Sequence, residues 1–438
     1  MNYFLGIDFG TSGVRAIAID RHLEIRALSR CDYNIRDCET WKLALDEVII
    51  SLPSQIRQNI KKIVIDGTSS TVLMSDRFGE VITPPLIYSD SCKPEILERV
   101  KKIAPLDHFV GSSTSSFAKL ISLLDREEVN LAQLISSSNS LYFLHQADWL
   151  SYLLHGRLGI SDFHNVLKLG YDMTNLIYPD WLKNWAKKNP ALVLPEIFAP
   201  STNLGRIQQE MAAKFELPVD CAIGAGTTDS NAAFLAAVGK AKPEIGTAVT
   251  SLGSSMVLKV LSDRPVNNAH YGIYSHRFEH PDLGCLWLVG GASNVGGAVL
   301  KQFFTDEQLQ AFSDRINPNI PSPLDYYPLT KSGDRFPIND PHLAPRLEPR
   351  PDDPVEFLHG LLESMARIEA QGYTLLAQLG ASPVHHLYTA GGGAKNLVWT
   401  KIRDRLLNQQ LQISMQQAPQ TEAAYGAALL ASVNNPNP

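Results

Sequence analysis

Residues 3–20 confine the chain to a small set of folds. Tyr3-Phe4-Leu5-Gly6-Ile7 is an apolar run of strand length, and Val14-Arg15-Ala16-Ile17-Ala18-Ile19-Asp20 reads as a second strand. Between them, Asp8-Phe9-Gly10-Thr11-Ser12-Gly13 holds a carboxylate, two hydroxyls and two glycines. Glycine admits positive φ and close backbone approach, and successive turn N–H groups can form an anion-binding concavity. A carboxylate beside such a turn repels phosphate unless a divalent cation lies between, so Asp8 points to Mg²⁺ held against a nucleotide. An ordinary hairpin with an Asp-Gly-type turn accounts for the same residues.

The next elements favour an α/β sheet with helices on both faces. Leu23–Leu28 reads as a third strand. Leu43, Val48, Ile49, Leu52, Ile56 and Ile60 have the spacing of one helix over 41–60. Lys62–Gly67 is a β-branched strand that runs into the hydroxyl turn Thr68-Ser69-Ser70-Thr71. Helices are expected over 117–125 and 146–154, with a polar loop at Ser161-Asp162-Phe163-His164-Asn165.

Cys221 to Ser230 repeats the opening logic, with an apolar strand, Gly224 and Gly226, then Thr227-Thr228-Asp229. Asp229 reads either as the N-cap of the Ala-rich helix that follows or as the proton acceptor that phosphoryl transfer to an alcohol requires. The second half begins again with strands. A hairpin over 248–258 turns at Gly253, and Cys285–Val289 is a strand ending in Gly290-Gly291. Asn294–Phe304 and Phe357–Leu379 read as helices, the latter closed by Gly380. A strand over 386–390 meets Gly391-Gly392-Gly393-Ala394-Lys395-Asn396, with helices expected over 399–407 and 422–433. Glycine turns after strands lie where α/β sheets bind ligands, although any one such triplet also serves as a tight connection. Each half thus opens with a hairpin around glycines and hydroxyls, and no short-period repeat suggests a solenoid.

Composition narrows the partners. With 438 residues the chain has room for two or three domains. Its net charge of −6 gives no electrostatic case for nucleic acid or an anionic membrane. The five cysteines are scattered and lack zinc spacing, which reads as reduced thiols in the cytoplasm. No apolar run reaches the ~18 residues of a membrane span. There is neither a GxxxxGK[ST] motif nor the protein-kinase signature set.

Gly6-Ile7-Asp8-Phe9-Gly10-Thr11-Ser12, Gly224–Asp229, Thr250-Ser251-Leu252-Gly253-Ser254-Ser255 and Gly391–Asn396 resemble, in order and spacing, the motifs of the FGGY carbohydrate kinases. That resemblance implies two actin-like, ribonuclease H-like α/β domains closing over an interdomain cleft. The expected domains are 1–235, on the sugar and Mg/phosphate side, and 236–438, on the ATP side, with a helix near 421–434 crossing back toward the first. By the same resemblance Asp229 is the general base, and Asp8 and Asp229 hold Mg²⁺, in part through water. Gly10, Thr11, Ser12 and Arg15 approach the transferring phosphate. Gly253, Ser254, Gly291, Gly392, Gly393 and Asn396 border ATP, and Asp8, Ser70, Asp90 and Asp229 line the sugar.

Two departures lie on the sugar side. Thr68-Ser69-Ser70-Thr71 stands where xylulokinases of the family carry a Gln-Met-His-Gly-like turn, and Asp90-Ser91-Cys92 lacks the arginine of an Asp-x-Arg pattern. They resemble short members assigned to ketopentoses, so D-ribulose is the expected acceptor and D-xylulose the alternative. The protein is expected to be cytoplasmic and a monomer or small homo-oligomer, with no nucleic acid or membrane partner. A non-catalytic ATP-binding regulator and a slow ATPase are the rival readings; retention of both Asp8 and Asp229 argues against the regulator.

Overall fold

The computed structural model describes residues 1–11, 13–126, 140–241, 243–280 and 282–433. The chain forms two compact units, Met1–Lys240 together with the segment from Glu422 onward, and Ala241–Thr421.

In the first unit, β1 (Tyr3–Gly10), β2 (Gly13–Asp20) and β3 (Ile25–Cys31) form an antiparallel meander. β4 (Ile60–Gly67) pairs parallel to β1, β5 (Val72–Ser75) pairs with β6 (Leu141–His145), and β7 (Ile160–Asp162), β8 (Leu192–Val193), β9 (Glu196–Phe198) and β10 (Asn203–Arg206) follow. β11 (Ala222–Thr228) then pairs parallel to β4, giving the sheet order β10-β11-β4-β1-β2-β3. Leu5, Ile7, Phe9, Ile63 and Ile65 are fully buried in this sheet, each contributing roughly 1.5–3 kcal/mol of apolar burial.

The expected helix over 41–60 is two, Cys38–Ile50 and Ser54–Arg57, and Ile60 already belongs to β4. Pro53, at the N-cap of the short helix, has no N–H to carry the first one through. The Ala-rich helix Ala423–Ser432 packs in this unit against β1 and the helix Asp229–Val238. Its approach depends on missing side chains. A Cβ on Gly6 would lie 2.1 Å from Ala424 O, and one on Gly426 1.9 Å from Ala232 O. Buried Lys62 donates to Ser201 O at 2.5 Å and to Val433 O at 3.3 Å, fastening the end of that helix to β4.

The second unit repeats the scheme. β12 (Thr247–Leu252) and β13 (Met256–Ser262) form a hairpin, and β14 (Tyr274–His280) and β15 (Gly284–Ser293) extend it. β16 (His386–Ala390) and β17 (Ser414–Gln416) add parallel strands, giving the order β14-β15-β13-β12-β16-β17. In both sheets a hairpin strand pairs parallel with the next βα strand, as β1 does with β4 and β12 with β16.

Two expectations change here. Gly290 and Gly291 lie inside β15 rather than after it, because Leu258 O and the Phe336 ring occupy the space their side chains would need. The helix expected over 294–304 is one turn, Gly297–Leu300, since Gly296 and Gly297 leave backbone room for the 253–255 turn.

Candidate active site

The carboxyl ends of β1, β4 and β11 lie side by side, and each carries a carboxylate. Asp8 faces Asp66 across the parallel pair, Asp66 faces Thr227, and Asp229 begins the helix after β11. Asp8 is 4% exposed and Asp66 fully buried. Among the described residues no N–H or hydroxyl reaches Asp8 Oδ1 or either oxygen of Asp66. Burial, opposed by the bond to Asp66 and reinforced by the charge of Asp229, raises Asp8 to about 6. Burial first, then the charge of Asp8, pushes Asp66 well above the usual carboxylate range. Two buried carboxyls side by side disfavour full ionisation of both, which is the physical origin of both upward shifts. Asp66, at the end of the strand ahead of the 68–71 turn, is missing from the expected site because only the strand register brings it to Asp8.

Asp229 is not the N-cap. Thr228 takes that position without a side-chain bond to the helix, and Asp229 Oδ1 accepts from Ser230 N at 2.7 Å. Gly10 and Gly13 pair across the hairpin, a Cβ on Gly10 would sit 3.5 Å from both Asp8 oxygens, and Thr11 is exposed at the tip. Ser12 lies outside the described residues. Arg15 faces Asp8 across the hairpin, with Nη1 3.9 Å from Asp8 Oδ2 and Nε 3.0 Å from Glu422 Oε2.

Among the described residues no three His, Cys, Asp or Glu side chains form a metal cage. Mg²⁺ needs only one or two carboxylates, completed by water and phosphate, and the buried, donor-less oxygen of Asp8 beside Asp229 fits that requirement.

Ser70 and Asp90 form a second group in this unit. Ser70 is 1% exposed and holds a left-handed φ of 63°, uncommon for a residue with a side chain. Its hydroxyl accepts from Ser116 Oγ at 3.2 Å, and His145 Nε2 stands 3.1 Å behind Ser116. His145 Nδ1 lies 3.0 Å from Asp148 Oδ2. Buried Lys119 donates to Ser70 O at 2.8 Å and to Ile87 O at 2.6 Å; burial lowers it to about 8. Arg36 grips Asp90 through two bonds of 2.7 and 3.1 Å. Arg36 lies 54 residues from Asp90 in sequence, so no local spacing announces the pair.

The nucleotide-side candidates all lie in the second unit. Gly253 and Ser254 turn β12 into β13, and their carbonyls accept from Gly297 N at 2.8 Å and Ala298 N at 3.1 Å. In the glycine triplet, Gly391 and Gly393 press on Leu252, while a side chain at Gly392 would meet nothing within 4 Å. Gly392 therefore borders open space. Asn396 caps the helix Leu397–Leu411, accepting from Trp399 N at 2.9 Å and donating to Ser313 Oγ at 2.8 Å. The ring of Phe336 covers Gly291.

Residues 3–236 match the N-terminal domain, and residues 248–434 the C-terminal domain, of the FGGY family of carbohydrate kinases. The xylulose kinase of Staphylococcus xylosus is 22% identical over 466 residues, covering 99% of this chain and 91% of that protein. That of Klebsiella pneumoniae is 23% identical over 460 residues, covering 98% and 89%. Among solved structures, ligand-bound xylulose kinase from Lactobacillus acidophilus superposes with a TM-score of 0.80 at 17% identity, covering 99% of this chain and 89% of that one. Plasmodium falciparum glycerol kinase with ADP gives 0.80 at 16% identity, covering 98% and 89%. The fold is that of the actin-like sugar kinases. With both family domains matched in order over nearly the whole chain, the protein belongs to the FGGY family of carbohydrate kinases, enzymes that use ATP to phosphorylate sugars.

Proposed function

We propose that the protein transfers the γ-phosphoryl group of ATP to a terminal hydroxyl of a ketopentose, with Asp229 as general base. The observation that carries this reading is the row of carboxylates at the ends of β1, β4 and β11, with Asp229 at the start of a helix and Asp8 beside the hairpin turn. A base within reach of the attacking hydroxyl takes its proton as the bond to phosphorus forms.

Asp8 and Asp229 would hold Mg²⁺, whose charge offsets that of the phosphates. Arg15 and the N–H groups of the 10–13 turn would receive the transferring phosphate, and the turns at Gly253-Ser254 and Gly392 would receive the nucleotide. Ser70 and Asp90 would bind the sugar. Gly291 and Asn396, whose surroundings are Phe336, Trp399 and Ser313, would support the nucleotide site from behind.

The names of the curated relatives support D-xylulose as the acceptor. The 68–71 turn and Cys92 depart from the xylulokinase pattern and support D-ribulose. A cytoplasmic location suits this chemistry, and no helix among the described residues is long and apolar enough to cross a membrane.

The test is ADP release from Mg-ATP with D-ribulose, D-xylulose, L-ribulose, L-xylulose, glycerol or no sugar. A rate that rises strongly with one ketopentose supports the reading and names the acceptor. A rate that no sugar alters favours the ATPase or the regulator.

A further inference from the structure

We propose that His164 and Asn165 are positioning residues for Asp229, clamping the strand end from which it projects; the inference rests on the reading of Asp229 as the base. The β4–β11 register runs Gly224 opposite Val64 and then jumps to Thr227 opposite Asp66, so β11 carries one extra residue just ahead of Thr227-Thr228-Asp229. Such a bulge bends a strand and re-aims the side chains beyond it. The extra residue is stitched to a neighbouring turn, with Ala225 N donating to Thr202 O and Ser201 N to Ala225 O, both at 2.8 Å. A Cβ on Gly226 would stand 2.3 Å from Ile65 O, so only glycine fits there.

Beyond the bulge Thr227 is held at two points. His164 Nδ1 lies 2.6 Å from Thr227 Oγ1, and Asn165 Nδ2 donates to Thr227 O at 3.2 Å. Both clamp residues belong to one turn that Asp162 organises. Its Oδ1 accepts from His164 N at 2.8 Å and Asn165 N at 3.0 Å, and its Oδ2 from Asn165 Nδ2 at 2.6 Å. Asp162, His164, Asn165 and Thr227 are all buried.

This turn is the polar segment after β7 that the phosphoryl-transfer chemistry leaves unassigned. It grips the residue two positions before Asp229, on a strand whose regular ladder is interrupted. A displacement of about 1 Å at a reacting group costs on the order of 100-fold in rate, so a clamp here acts on turnover rather than on substrate affinity.

Thr227→Val removes the hydroxyl at nearly constant shape, and Thr227→Ser restores it. His164→Leu removes the ring nitrogen, and His164→Asn keeps a polar atom near the Nδ1 position. Thr227→Val and His164→Leu are expected to lower kcat about 10- to 100-fold with KM for sugar and ATP within about twofold of wild type. They are also expected to speed amide hydrogen exchange in 227–230, while Thr227→Ser and His164→Asn retain most of kcat. Wild-type kcat and exchange in Thr227→Val would overturn the proposal. So would a loss confined to KM, or an equal loss in Thr227→Ser. Should His164→Leu not fold, the near-isosteric Thr227→Val carries the decision. If the wild type phosphorylates no sugar, the functional reading fails, and exchange in Thr227→Val against wild type still decides whether the clamp orders this segment.

Discussion

Asp66 stands directly opposite Asp8 across the parallel pair β1–β4, with both of its carboxyl oxygens buried and, among the described residues, out of reach of any N–H or hydroxyl donor. Two ionised carboxylates in that position would repel strongly, and burial, reinforced by the charge of Asp8, pushes Asp66 well above the usual carboxylate range. Asp66→Asn, a neutral side chain of nearly the same shape, is expected to change unfolding free energy at pH 7 by no more than about 1 kcal/mol. Asp66→Ala, which leaves a void between packed strands, is expected to cost about 1–3 kcal/mol. Urea unfolding of the two variants checks the contrast; equal losses would show that the Asp66 carboxyl itself holds the strands.

A buried ion pair does comparable work in the second unit. Arg403 meets Glu369 through two bonds of 2.6 Å and donates to Thr389 Oγ1 at 2.8 Å, and Thr250 Oγ1 donates to Glu369 Oε1 at 2.5 Å. Thr250 and Thr389 are register partners on β12 and β16, the strands that lead to the turns at Gly253 and Gly391. Arg403→Met leaves a buried carboxylate unpaired and is expected to cost about 3–5 kcal/mol. Adding Glu369→Gln to Arg403→Met should recover most of that loss. A double variant no more stable than the single one would contradict this origin of the cost.

His155 sets a pH limit on stability. Burial, helped by the nearby charge of Arg157, lowers its pKa to about 4, and Nδ1 accepts from Arg157 N at 3.1 Å. The folded chain therefore binds the proton more weakly than the unfolded chain, whose histidine titrates near 6.5. The stabilisation is present in full above pH ~6.5 and is lost as pH falls toward about 4, a change on the order of 3 kcal/mol. Denaturant unfolding between pH 7 and 4 should show a smaller decline in His155→Asn than in wild type. An unchanged decline would place the acid sensitivity elsewhere.

Much of the fold is legible because its strands are short apolar runs bounded by glycine and hydroxyl turns. The opening hairpin, the 222–228 strand and the long helix that begins at Pro354 all follow from local pattern. The misreadings have local causes that periodicity does not register. Pro53 divides an apolar stretch of helical spacing, and Gly290 and Gly291 are glycines because Leu258 and Phe336 crowd them rather than because the chain turns there. Asp8, Asp229 and the glycine turns stand out in sequence as chemistry-bearing residues on turns. Asp66, Arg36, Lys119 and the His164 clamp do not, because each gains its role from a partner distant in the chain or across the sheet.

The central claim is that Asp229 removes the proton from the sugar hydroxyl, and the most direct measurement is sugar-dependent phosphoryl transfer by wild type and Asp229→Asn, with ATP binding measured in parallel. The account predicts that the variant binds ATP with near wild-type affinity while kcat falls by about 10²- to 10⁴-fold. Near-normal turnover in Asp229→Asn would contradict it.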